Sequence, residues 1–360
     1  MASAAVATTD PVGGHAYGQA RGQGNARGQA IAPDLVERAR AYADLATSDA
    51  TRRAYRADLA SWATWALARG MDPDGINPVA VAGYLTDMAG ALSVATLARR
   101  MAGLNAYLRA GGRDPVSTRA EPLKSVWRGI QRAHGAPQNK KAPLVVTTLR
   151  RVVGELGDGT ADVRDAALMV VGFAGAMRRA DLVGLDWEAG QGGAGFVNFT
   201  RDGLLITFTR SKTDQTGEGE AIGLAYGSTA STCPVRTLQA WRDRSARELG
   251  MAAGPVFRGV SRHGAVGKVR MDGGSVARIV KRRLAAALEA QGESPANVAA
   301  AVRTFSGHSM RAGFITSAFL EGVPEAAIMP HTRHRKAETL YGYRRTATVF
   351  QDNPSARVGL

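Results

Sequence analysis

Cys233 is the only cysteine in 360 residues. One thiol cannot close an internal disulfide or build a cysteine-only zinc site, and such sparing use suits a reducing cytosol. Acidic residues are also short: 31 Asp and Glu stand against 46 Lys and Arg, a net charge of +15. A surplus of that size calls for a polyanionic partner, nucleic acid ahead of an acidic membrane. No run of about 18 apolar residues occurs, so no membrane span is expected. The opening "MASAAVATTDPVGG" lacks a basic flank followed by an apolar stretch, so it does not read as a secretory signal. Hydrophobic residues make up 45% of the chain, enough for an ordinary core, and the length suits two domains.

Residues 1–33 carry almost no large apolar side chains and read as a disordered tail, with Arg21 and Arg27 adding weak charge. Residues 34–135 read as a helical domain with no convincing strand. In "TRRAYRADLASWATWALARG", Tyr55, Leu59, Trp62 and Ala66 form one stripe, while Arg52 and Arg56 share a polar face and Gly70 marks a stop. Further helices are predicted through "PVAVAGYLTDMAG", "SVATLARRMAGLNAYLRAGG" (capped by Ser93) and "EPLKSVWRGIQRAHG". Arg52 and Arg56, with Arg99, Arg100, Lys124, Arg128 and Arg132, are candidate phosphate contacts. Residues 136–143, "APQNKKAP", read as a linker. Extended, it spans roughly 25 Å, enough for two domains to clasp a duplex.

Residues 144–360 read as a second domain of mixed α/β type. It opens with a Thr-capped helix, "TTLRRVVGEL", and a buried one, "ADVRDAALMVVGFAGAM". The period then changes: "GFVNFT", "GLLITFT" and "AIGLAYG" predict a small antiparallel sheet of three strands. From "CPVRTLQAWRDRSARELG" onward the pattern is helical to the end. In "SVARIVKRRLAAALEAQG", Val276, Ile279, Val280 and Leu284 face inward, leaving Arg278, Lys281 and Arg282 on a basic face suited to a major groove.

Five features carry candidate chemistry. Arg178 in "GAMRRADLVGL" is expected to end an apolar helix at the edge of the core, with Asp181 three residues on to hold it from the same helix face. Lys212 lies at a hairpin tip in "FTRSKTDQT". His308 and Arg311 in "GHSMRAGF" sit at i and i+3, spaced to grip two oxygens of one phosphate. His331 and His334 make an H-x-x-H pair, but no carboxylate shares their turn and cations flank it, so no metal is expected. Last, "ETLYGYRR" offers Tyr341 and Tyr343, which point about 200° apart on a helix. Periodicity alone leaves the choice between them open. A tyrosine hydroxyl is a poor nucleophile near neutral pH unless cations stabilise the charge gathering on a phosphate.

In this order, Arg178, Lys212, His308-x-x-Arg311, His334 and a tyrosine resemble the tyrosine recombinase (integrase) family over about residues 34–355. "GAMRRADL" matches the family's first arginine motif, with Asp181 for the usual Glu, and the family's nucleophile follows the second histidine position by nine residues, which selects Tyr343. The resemblance implies a mainly α, two-domain protein: a helical core-binding domain and a catalytic domain of helices with a small antiparallel sheet. It implies site-specific DNA recombination through a 3′-phosphotyrosine intermediate, without metal, ATP or other cofactor. Arg178, Arg311, His308 and His334 would hold the phosphate, with His308 assisting proton transfer. Lys212 would be the general acid, Asp181 an orienting partner, His331 scaffold, and Tyr341 would pack the helix. The implied partner is double-stranded DNA bearing a recombination site, bound by a homotetramer of subunits that are monomers or weak oligomers without it. "ATVFQDNPSARVGL" would join subunits, and the implied location is cytoplasmic, on bacterial DNA. Two rivals stand beside this reading. A type IB topoisomerase is disfavoured by the separate helical first domain, and a DNA-binding regulator with a decayed site by the full set of cluster residues.

Overall fold

Residues 32–137, 141–209, 219–250 and 253–347 are described in the computed structural model. The chain divides into two units, Met1–Gln138 and Asn139–Leu360.

The described part of the first unit is helical: α1 (Pro33–Leu45), α2 (Asp49–Leu67), α3 (Pro78–Met88), α4 (Val94–Ala110) and α5 (Leu123–His134). Three of these start on a polar cap. Ser48 accepts from the Thr51 amide, Asn77 from those of Val79 and Ala80, and Ser93 from that of Thr96. Trp62, Trp65 and Tyr84 form the centre of the core, with ring centroids 5.3–5.4 Å apart. Both indoles meet their hydrogen-bonding need, Trp62 on the Pro73 carbonyl and Trp65 on Asp87. The expected stripe is observed at Trp62 and Ala66, both buried, with Leu59 packed against the cluster. Several candidate phosphate contacts also serve the unit itself. Arg52 pairs with Asp49, and Arg99 meets the buried Asp58 at 2.5 Å. Arg100 donates to the Tyr84 hydroxyl at 2.7 Å, and Lys124 lies 4.0 Å from Glu121. Arg56, Arg128 and Arg132 are exposed.

The second unit begins with α6 (Val146–Gly154), α7 (Thr160–Ala174) and α8 (Arg179–Val183). Lys141 and Ala142, expected in the linker, bond to this unit: Lys141 Nζ donates to the Arg303 carbonyl and Ala142 N to that of Thr304, both at 2.9 Å. Helix α6 lacks the expected Thr cap. Val145 precedes it, and the Ser317 hydroxyl accepts from the Val146 amide instead. Strands β1 (Leu185–Asp186), β2 (Gly195–Thr200), β3 (Gly203–Phe208) and β4 (Glu220–Ala225) form one sheet in that order. β1 is parallel to β2, and the others are antiparallel. The last three are the predicted runs, whereas β1 is too short to show a period.

After α9 (Pro234–Leu249) the structure corrects the expectation of unbroken helix. A hairpin of β5 (Arg258–Val260) and β6 (Val266–Arg270) intervenes. Its alternation is hidden by buried Arg258, whose guanidinium donates to the carbonyls of Ala253, Pro255 and Lys268. The chain continues through α10 (Gly273–Ala290), α11 (Pro295–Thr304), α12 (Ser309–Leu320), α13 (Glu325–Thr332) and α14 (Ala337–Ala347). In α10 the four predicted inward residues are buried and Arg278 is exposed. Arg282 departs from a free basic face, because it reaches Asp165 at 2.9 Å. Asp165, fully buried on α7, also binds Arg164 at 2.5 Å and Arg283 at 2.6 Å. This ionic knot ties α7 to α10. Among the described residues no helix is long and apolar enough to cross a membrane.

Candidate active site

Three short stretches of the second unit deliver the site. The first is the bend after α7. Arg178 lies at the N-cap of α8 in extended backbone (φ −72°, ψ 149°), not on the apolar helix. The second is the start of α12, where His308 occupies the cap and Arg311 the first turn. The third runs from the end of α13 into α14, with His334 just past the helix and Tyr343 on the next one. Arg178, His308, Arg311, His334 and Tyr343 all line one cavity of about 380 Å³. Arg333, Arg335, Lys336 and Thr339 complete its lining. Among the described residues no carboxylate lines it, so its walls attract an anion. Lys212, and the C-terminal segment expected to join subunits beyond Ala347, lie outside the described residues, as do Arg21 and Arg27.

Within the cavity Tyr343 Oη stands 2.9 Å from His308 Nε2. Tyr341 is 45% exposed, which corrects the expectation that it packs the helix: only Tyr343, on the other side of α14, turns inward. Arg311 is nearly fully buried. Its Nη1 donates to the Ala176 carbonyl at 2.6 Å and its Nη2 to His334 Nε2 at 3.0 Å. The direction of the His334 bonds follows from Thr332. That hydroxyl has one hydrogen, directed at the Ile328 carbonyl at 2.8 Å. At 2.6 Å it therefore accepts from His334 Nδ1–H, which leaves Nε2 with a lone pair for Arg311. His331 is outside this set. Its Nε2 donates to the Ala174 carbonyl and its ring stacks on Phe314 at 4.8 Å.

The electrostatics are those of a site crowded with cations. Burial, then Arg178 and Arg333, pull Arg311 down to about 10. Burial, then Arg311 and Arg178, push His334 down to about 4. Burial and the same two arginines, with Arg179, lower His308. Burial raises Tyr343, partly offset by Arg311. At neutral pH the site thus holds two uncharged imidazoles, an un-ionised phenol and crowded guanidinium groups.

Asp181 lies behind the wall. Its Oδ2 is 3.7 Å from Arg178 Nη1, but its hydrogen-bonded partner is Arg333. Arg333, Thr332 and the Ala176 carbonyl are parts of the site that sequence reasoning missed. In "HTRHRKAET" Arg333 looks like one more solvated cation, yet it is 5% exposed and its guanidinium covers the Phe208 ring at 3.7 Å. Ala176 and Arg333, at φ 44° and 56°, are the two non-glycine residues with positive φ among those described. Such backbone gathers at functional sites. No sequence pattern announces it at an alanine or an arginine.

No family model matches the chain. It is 30% identical over 319 residues to an integrase/recombinase XerD homolog of Selenomonas ruminantium, a match covering 86% of this chain and 86% of that protein. Among solved structures, the XerH site-specific recombinase bound to palindromic difH substrate in a post-cleavage complex is similar, with a TM-score of 0.57 at 13% identity, over 97% of this chain and 94% of that one. The Tn1549 transposon integrase in complex with transposon right end DNA gives 0.51 at 14%, over 95% and 96%. At these identities the structural likeness is one of fold.

Proposed function

The chain belongs to the tyrosine recombinase family, and from that premise we propose that it is a site-specific DNA recombinase whose nucleophile is Tyr343. The observation that carries the assignment is the 2.9 Å contact between Tyr343 Oη and His308 Nε2 inside a cavity lined by Arg178, Arg311, Arg333, Arg335 and Lys336. That is the spacing of a nucleophile and its base. Neutral His308 takes the phenolic proton as Oη attacks the scissile phosphorus. The Oη–P bond forms and the P–O5′ bond breaks, leaving a 3′-phosphotyrosine and a 5′-hydroxyl. Arg178, Arg311 and His334 meet the negative charge on the equatorial oxygens. Lys212 supplies the proton that the departing O5′ needs. A 5′-hydroxyl of a second strand then attacks the same phosphorus and returns Tyr343. Phosphodiester and phosphotyrosine linkages exchange one for one, so no ATP is consumed, and the charge is met by side chains rather than by a metal.

The partner is duplex DNA with a recombination site, in the cytoplasm of a bacterium. The domain roles belong to this reading: a core-binding domain over 34–135 and a catalytic domain over 144–360 work together on the duplex. Four subunits act on two sites, joined through the C-terminal segment.

The test begins with footprinting on DNA flanking the gene, which yields the bound and cleaved sequence. A nicked duplex of that sequence then traps the covalent adduct on a denaturing gel. Wild type and Tyr341→Phe form it, and Tyr343→Phe does not. Adduct from Tyr343→Phe refutes the nucleophile. Relaxation of any supercoiled plasmid without a sequence requirement points to a topoisomerase instead.

A further inference from the structure

We propose that Arg333 is a positioning residue that binds the Asp181 carboxylate so that Arg178 keeps an edge of its guanidinium free for phosphate. The inference rests on the catalytic reading above, because it concerns how that site is held ready. The sequence suggests a simple Arg178–Asp181 pair. The structure instead sets two arginines at one carboxylate oxygen and gives the hydrogen bond to Arg333. Arg178 is left 3.7 Å away, and its buried Nη1 has no hydrogen-bond partner among the described residues. A buried donor without a partner is costly unless a ligand supplies one, and the cavity it lines is where an anion would enter.

Arg333 is built to stay where it is. Its guanidinium lies on Phe208 at the end of β3, and its Nη1 is 3.8 Å from Glu220 at the start of β4, an ionic approach without a hydrogen bond. Two carboxylates and a ring thus face it. Its left-handed backbone is unfavourable for a non-glycine residue, and the surrounding contacts must hold it in place. That same turn starts the segment carrying His334. Arg333 therefore sits between the phosphate-facing wall and the sheet, and neutralises Asp181 from the sheet side. Without it, Asp181 would draw in the nearest cation, Arg178.

Glycine is at home at φ 56°, so Arg333→Gly removes the guanidinium while keeping the turn. On the nicked duplex at saturating concentration, single-turnover cleavage by Arg333→Gly falls by roughly 100-fold, the scale of a misplaced catalytic group. DNA affinity stays within about threefold, because the other phosphate contacts remain. Adding Asp181→Asn recovers about tenfold or more of the rate, since the competing charge is gone. Cleavage by Arg333→Gly near the wild-type rate, or no recovery in the double variant, overturns the proposal. If Arg333→Gly does not fold by thermal melting, Arg333→Lys takes its place. It keeps a cation on Asp181 and cleaves within about fivefold of wild type, whereas a loss as deep as that of Arg178→Ala overturns the proposal. A DNA-free readout separates this inference from the function itself. In the ¹⁵N spectrum of the full chain, the Arg178 Nε–Hε resonance shifts in Arg333→Gly and returns in the double variant. An unmoved resonance sinks the inference even if wild type forms adduct, and the shift stands even if it forms none.

Discussion

His334 is held as a neutral acceptor: its Nδ1–H donates to Thr332 and its Nε2 accepts from Arg311. To donate to a phosphate it must gain a proton or exchange Arg311 for the ligand. Burial, then Arg311 and Arg178, keep it near 4, and a bound phosphate offsets the arginines' share, so DNA binding takes up protons in mildly acidic solution. Calorimetry in buffers of different ionisation enthalpy should show net uptake at pH 6, reduced in His334→Asn. The same depression bears on folding. An unfolded histidine titrates near 6.5, so between about 6.5 and 4 the unfolded chain binds the extra proton. Stability is therefore full above pH 6.5 and declines as pH falls toward 4. Denaturant midpoints at pH 7, 6 and 5 should drop in that order, and less steeply in His334→Asn. Thr332→Val removes the acceptor that orients the ring while nearly keeping its volume. A roughly tenfold slower cleavage with little change in DNA affinity is expected, the cost of losing an orienting partner.

At the scale of elements, α12 carries Arg311, with His308 at its cap, and its position depends on one glycine. A Cβ at Gly313 would stand 1.9 Å from the Leu144 carbonyl oxygen, on the strap that leads into α6. That backbone cannot withdraw easily, because Leu144 N donates to the Ser309 carbonyl at 2.8 Å. Gly313→Ala should destabilise the second unit by about 1–3 kcal/mol or more, the range of overpacking in a dense core. It should also slow cleavage by displacing Arg311, and thermal melting together with adduct assays checks both. In the first unit, Arg99 on α4 covers buried Asp58 on α2. Arg99→Met should lower stability by roughly 1–3 kcal/mol, because a desolvated carboxylate loses its partner. If melting is unchanged, Arg99 is a surface cation and nothing more.

For the whole molecule, the charge of +15 sets the character of binding. If about six phosphates are neutralised, the log of the affinity should fall against the log of the salt concentration with a slope near −5. A flat response between low and moderate salt contradicts a phosphate-dominated interface. The exposed Arg128 and Arg278 are better probes than Arg99 or Arg282, which the fold already uses. Replacing either exposed residue with alanine should reduce the slope by about 1 and leave sequence preference unchanged.

Residue type, order and apolar period are properties of a line, and what depends on them was legible before any fold. They supplied the helical first unit, the runs β2 to β4, the inward face of α10, and the ordered set Arg178, His308, Arg311, His334 and one of two tyrosines. Resemblance to a family, rather than periodicity, chose Tyr343 over Tyr341, and the structure turns that side chain into the cavity. What stayed hidden depends on which distant groups come within a few ångströms. Arg333 and Asp181 are 152 residues apart, and Arg282 and Asp165 are 117. A charge looks the same in a sequence whether it is solvated, like Arg128, or buried on a ring, like Arg333. Charge pairing acts over a few ångströms and is indifferent to sequence distance. The tertiary structure alone therefore decided which arginine serves Asp181, which way His334 points, and which cations remain for DNA.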